Sequence, residues 1–314
     1  MLVLPATTGL GSLPNLGQLV LGNLVAAFRQ SATVLALAGC ATVHRAIVPR
    51  APNAPASDYG QNVPPVLAKP EPPPAVHEVV QTRPPEALPT TLPLEGFEPA
   101  ILQLPSEHRP LALFVVTHGA GGQAEWHCRH YETMLGPYAG LLCLTGKRMA
   151  ARDPTRGYYY PNHVELGIEL QTAQKVMLET HGPSVLGETA VYIGYSQGAT
   201  MGALAVGEHG KFWPLMTLVE GGFDSWSPAL ARKYKSGGGQ RVLFVCGTEH
   251  CQKNALKAVS TLGAAGLETK LLYARGAGHR PDGPVASCVR EGLKWLLERD
   301  GRYIGVLEHL KQVP

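Results

Sequence analysis

The chain has no long hydrophobic run. Asn15, Asn23, Arg29 and Gln30 break the apolar first 39 residues, so no segment reaches the roughly 18 apolar residues of a membrane-spanning helix. It has no Lys/Arg block, and a net charge of +3 over 314 residues gives no electrostatic footprint for nucleic acid. It has no internal repeat. Its histidines and cysteines, including His127-Cys128-Arg129-His130 and His250-Cys251, fit no zinc spacing, which argues for structural roles and no metal. Between Ile47 and Pro93 the chain nearly lacks aromatics and glycine, with one of each, Tyr59 and Gly60. That stretch holds about half of the 27 prolines. Proline fixes φ and has no N–H, so Lys69-Pro70-Glu71-Pro72-Pro73-Pro74 cannot form helix or central strand. Such a composition predicts an extended spacer without a packed core.

What is present divides into three parts. Residues 1–40 read as an export leader: Arg29, then a short apolar run, then small residues before a cysteine. Residues 41–94 are the Pro-rich linker. Residues 95–314 carry the composition of a globular domain, large enough for a sizeable core. Short apolar runs there predict buried strands: Ile101–Leu104, Leu111–Thr117, Leu141–Leu144, Ala190–Ile193, Leu215–Val219, Arg241–Cys246 and Lys270–Tyr273. Helical spacing falls between them, at Ala124–Leu135, His163–Glu179, Ala199–Ala205, Gln252–Ala265 and Pro284–Arg299. The alternation predicts an α/β domain with a mostly parallel central sheet and helices on both faces.

The chemistry gathers around Gly194-Tyr195-Ser196-Gln197-Gly198, between an apolar strand and a small-residue helix. A serine on such a turn has its hydroxyl lifted off the sheet, and the glycines give room for the chain that crosses it. The next amide, of Gln197, opens a helix and lacks an intrahelical partner, which suits an oxyanion. A second glycine-rich loop, His118-Gly119-Ala120-Gly121-Gly122, follows the Leu111–Thr117 run and offers the Ala120 amide as the other donor.

These motifs together resemble the α/β-hydrolase superfamily over roughly residues 95–300. The loop 118–122 is similar to that of polyhydroxybutyrate depolymerases and feruloyl-type esterases, and the GYSQG elbow is similar to that of cutinases. The resemblance implies the chain order serine, acid, histidine, with Ser196 as nucleophile and His279, in the loop after the last strand, as base. It implies an acid after the Arg241–Cys246 strand, which points to Glu249. It also implies a disulfide around that acid, and Cys246–Cys251 brackets Glu249. Asp224 and Glu220, after the preceding strand, are the rival acids. No cofactor is implied. The expected activity is hydrolysis of a small-molecule or polymeric carboxylic ester through an acyl-enzyme. A peptidase on the same fold and a non-catalytic binding protein are the alternatives. Separately, Leu37-Ala38-Gly39-Cys40 resembles a bacterial lipobox, which implies diacylation at Cys40, a membrane anchor, and a place in the cell envelope, outer membrane or periplasm.

Overall fold

The computed structural model describes residues 40–42, 89–105, 109–150 and 153–312, all of them in the unit spanning 38–314. The export leader and most of the predicted linker lie outside the described residues. In chain order the strands and helices are β1 (Ala41–Thr42), β2 (Thr90–Leu92), β3 (Ala100–Gln103), β4 (Leu111–Thr117), α1 (Ala124–Leu135), β5 (Ala139–Cys143), β6 (Lys147–Arg148), β7 (Tyr158–Tyr159), α2 (His163–His181), β8 (Val185–Tyr195), α3 (Gln197–Gly207), β9 (Leu215–Val219), α4 (Pro228–Ser236), β10 (Arg241–Cys246), α5 (Glu249–Ala264), β11 (Glu268–Tyr273), α6 (Pro284–Leu297) and α7 (Ile304–Gln312).

Nine of these strands form one sheet in the order β2-β3-β5-β4-β8-β9-β10-β11-β1. The six from β5 to β11 in that order pair in parallel, while β3 and β2 on one edge and β1 on the other pair antiparallel. Four of the parallel strands are buried on both faces: every residue of β4, β5, β9 and β10 is buried, which is why they read as largely apolar runs. One face packs against α2, α3, α4 and α5 through residues such as Leu170, Ala203, Tyr234 and Leu262. The other packs against α1, α6 and α7 through Leu135, Leu293 and Leu310. This is the expected architecture.

The sheet reaches further than expected at both edges. Thr90–Leu92 pairs with Ala100–Leu102, and Ala41–Thr42 pairs with Leu272–Tyr273. Residues assigned to the linker therefore include two edge strands, short ones of the kind that can border proline-rich chain. Cys40, next to β1, is bonded to Cys288 of α6. This bond and the lipid anchor expected at this residue exclude one another, because a sulfur joined to Cys288 cannot also carry a thioether. Cys128–Cys143 ties α1 to β5, and Cys246–Cys251 closes the turn between β10 and α5. No helix among the described residues is long and apolar enough to cross a membrane.

Candidate active site

Strand β8 ends at Tyr195 and α3 begins at Gln197, so Ser196 alone makes the turn, with φ 51° and ψ −113°. A serine with positive φ is strained, and the neighbouring bonds hold it there. Its amide donates to Val219 O at 2.8 Å, and the Gly198 amide donates to His118 O at 3.0 Å. The flanking glycines are required by contact. A Cβ on Gly194 would sit 2.7 Å from Ala199 Cα, and one on Gly198 would sit 2.6 Å from both His118 O and Thr117 Oγ1. Both obstacles are backbone or well-packed groups. Gly198→Ala is expected to cost roughly 1–3 kcal/mol through overpacking, read as a lower Tm. Gly182→Ala, where nothing lies within 4 Å of the added carbon, should leave Tm unchanged or slightly raised.

Ser196 Oγ lies 2.9 Å from His279 Nε2, and His279 Nδ1 lies 3.0 Å from Glu220 Oε2. Glu220 follows β9 directly and has φ 52°, a conformation uncommon outside glycine and held here by the surrounding bonds. Its side chain is 1% exposed, whereas that of His279 is 51% exposed. The carboxylate is fully engaged. Oε1 accepts from the amides of Gly247 and Thr248, and Oε2 accepts from Thr248 Oγ1 at 2.9 Å as well as facing His279.

The expected acid, Glu249, is elsewhere. It is the first residue of α5, its side chain is 71% exposed, and it pairs with Lys253 one turn on at 3.1 Å. The cause is the helix start. Thr248 Oγ1 accepts from the Cys251 amide as an N-cap, so the chain is already helical at 249 and the side chain points outward. An acidic residue there suits the helix N-terminus and the i,i+4 cation. This corrects the assignment of Glu249: the structure brings Glu220, not Glu249, to His279. Asp224 is exposed. The Cys246–Cys251 disulfide bears on Glu220 from a distance, because it closes the turn whose Gly247 and Thr248 hold that carboxylate.

The expected oxyanion donors, Ala120 and Gln197, stand in the loop after β4 and at the first position of α3. In the loop after β4, the Gly121 amide donates to Tyr158 O and the Gly122 amide to Gly119 O. The amides of Ala120 and Gln197 donate to no group among the described residues. Two supports fix the loop. His118 is fully buried, with Nδ1 2.7 Å from Gly119 O and Nε2 2.9 Å from Thr145 O. Burial lowers its pKa, and the two carbonyls pull the other way. On the other side β7 lies against the loop, and a Cβ on Gly157 would overlap the Gly121 carbonyl, at 2.6 Å from its carbon. Two of the residues after Gly157 brace the site. Tyr158 bonds Gly121 and Gly122, and the Tyr160 amide donates to Gln197 Oε1 at 2.9 Å. The Tyr160 ring is wholly buried, and its hydroxyl donates to Leu144 O at 3.0 Å.

Among the described residues, one group could bring metal donors together: Glu220, Cys246 and Cys251. Its two sulfurs are bonded to each other and offer no thiolate.

No family model matches the sequence, and a search of curated proteins gives no match. Solved structures do match. The dienelactone hydrolase of Anabaena variabilis superposes with a TM-score of 0.53 at 13% identity, covering 68% of this chain and 98% of that one. Est1E of Butyrivibrio proteoclasticus superposes with a TM-score of 0.50 at 13% identity, covering 67% of this chain and 98% of that one. At such identities the likeness establishes the fold, which is that of the α/β-hydrolases.

Proposed function

We propose that the chain is an exported serine hydrolase that cleaves carboxylic esters through an acyl-enzyme. The observation that carries the reading is the unbroken relay Ser196 Oγ–His279 Nε2, His279 Nδ1–Glu220 Oε2, at 2.9 and 3.0 Å. His279 takes the Ser196 proton as Oγ bonds to the ester carbonyl carbon. The carbonyl oxygen becomes an oxyanion facing the amides of Gln197 and Ala120, each donor of this kind being worth about 2.7–4 kcal/mol of barrier. His279 then gives its proton to the leaving alcohol as the C–O bond breaks. Water, deprotonated by the same imidazole, releases the acid and restores Ser196. Glu220 holds the imidazole with Nδ1–H toward itself, so Nε2 is the free base.

The surroundings favour an ester with an apolar portion. Trp126, 43% exposed, stands on the first turn of α1 directly after the oxyanion loop. Met149 is exposed as well, and its sulfur is 3.8 Å from where a Gly121 Cβ would be. Export is supported by the leader-like sequence of residues 1–39 and by three disulfides, which persist in oxidising compartments.

The test is covalent. The wild-type protein treated with a fluorophosphonate should gain one adduct, and peptide mapping should place it on Ser196. An unreacted protein, or an adduct on another residue, would overturn the reading.

A further inference from the structure

The base sits in a loop with little holding it. Gly276, Gly278 and Gly283 have φ of 72°, 83° and 56°, and a Cβ on either Gly276 or Gly278 would meet nothing within 4 Å. Up to Gly278 the loop is tied to the end of β10, through Ala274 N to Cys246 O at 2.8 Å and Gly278 N to Gly247 O at 3.2 Å. Past that point the main chain has a different anchor. The Tyr195 hydroxyl donates to the His279 carbonyl at 3.2 Å.

Tyr195 is the residue before the nucleophile, at the end of β8, so its backbone is as rigid as the elbow. Its ring lies 5.4 Å from the His279 ring and 5.9 Å from the buried His127 ring. Its Cε1 also fills the space beside the oxyanion loop, 3.0 Å from where a Cβ on Gly119 would be. One side chain therefore touches the base loop and the oxyanion loop while its own backbone adjoins Ser196. Burial first, then the charges of Glu220 and Asp282, push the Tyr195 pKa up to about 12, so the hydroxyl stays a donor in the neutral range.

We infer that Tyr195 is a positioning residue for the hydrolytic reaction, its hydroxyl holding the His279 main chain so that the imidazole spans Ser196 and Glu220. The inference rests on the proposed function, and the experiment separates the two. Tyr195→Phe keeps the ring and removes the hydroxyl. On a short nitrophenyl ester its kcat should fall about 10-fold with KM unchanged, the scale of one lost hydrogen bond and a slightly misplaced base. Its Tm should stay within about 2 °C of wild type. Tyr195→Leu, which also removes the ring, should lower kcat further. The second readout needs no turnover. The low-field proton resonance of His279 Nδ1–H, facing Glu220, should shift or broaden in Tyr195→Phe. Unchanged kcat together with an unchanged resonance would overturn the inference, as would a change confined to KM. A wild type that shows the resonance but neither turns over nor takes the fluorophosphonate would defeat the proposed function, while the resonance of the variant would still decide the role of Tyr195.

Discussion

Glu220→Gln is expected to lower kcat/KM for a short ester by about 10⁴-fold, while Glu249→Gln stays within about twofold of wild type. The argument is one of tautomers. In the native site Oε1 accepts from the Gly247 and Thr248 amides, and both of these are donors that a glutamine could satisfy only with its oxygen. Keeping the oxygen there puts the glutamine NH₂ where Oε2 was, 3.0 Å from His279 Nδ1. An NH₂ donates, so Nδ1 must accept and the ring proton moves to Nε2. That nitrogen is 2.9 Å from Ser196 Oγ and can no longer take its proton. The reversed amide would instead set the NH₂ against two backbone N–H groups in a site 1% exposed to water. Neither orientation supports the reaction, although the fold tolerates the isosteric change. Glu249 makes one exposed ion pair with Lys253, a contact worth a few tenths of a kcal/mol. The rate of fluorophosphonate labelling, compared with Tm for each variant, measures both. A Glu249→Gln enzyme that is dead beside an active Glu220→Gln enzyme would return the acid to the turn after β10.

The contrast between these two carboxylates shows what a sequence exposes. The elbow was legible because its demands are local: a strand, a helix and two glycines within five residues. His279 was legible because it follows the last strand in a glycine-rich loop. The central parallel strands were legible because burial on both faces leaves them few polar residues. The acid was not, because all three candidates follow a strand of the same sheet, and nothing within either segment states which turn faces the base. A signal was present. Glu220 is followed by Gly221-Gly222, and a Cβ on Gly222 would sit 2.8 Å from Ala199 O. Paired glycines after a strand mark a chain passing close under the elbow. Opposite them, Thr248 before Glu249 carries an N-cap signature, which places Glu249 on a helix. Helix α4 carried the same kind of cue, Ser227 capping with Pro228 at the first position, and passed unread because its nine residues hold only two buried ones, Ala231 and Tyr234. The edge strand β1 had no cue at all. Two residues of strand are specified by the β11 edge they join, not by their own composition.

That edge underlies the second large effect. Cys288→Ser is expected to lower Tm by on the order of 10 °C, with Cys40→Ser and the double variant falling by nearly the same amount. The bond joins residues 248 apart. Cross-linking a loop of that length removes enough freedom from the unfolded chain to be worth about 5 kcal/mol at 25 °C, and each kcal/mol moves Tm by roughly 2–4 °C in a domain of this size. The three variants should agree because each removes the same covalent link, so the two single effects cannot add. The partner is well placed to transmit the loss. Cys288 is buried in the second turn of α6, the helix that follows the His279 loop, and β1 pairs with Leu272 and Tyr273 just before that loop. Releasing Cys40 therefore frees the strand that covers the β11 edge on the side of the base. A peptide map of the unreduced protein gives the direct check. It should contain one cross-linked species joining the Cys40 and Cys288 peptides, and alkylation before reduction should leave Cys288 unmodified. An acylated Cys40 with a freely alkylated Cys288 would refute the bond and restore the anchor, since one sulfur cannot hold both partners.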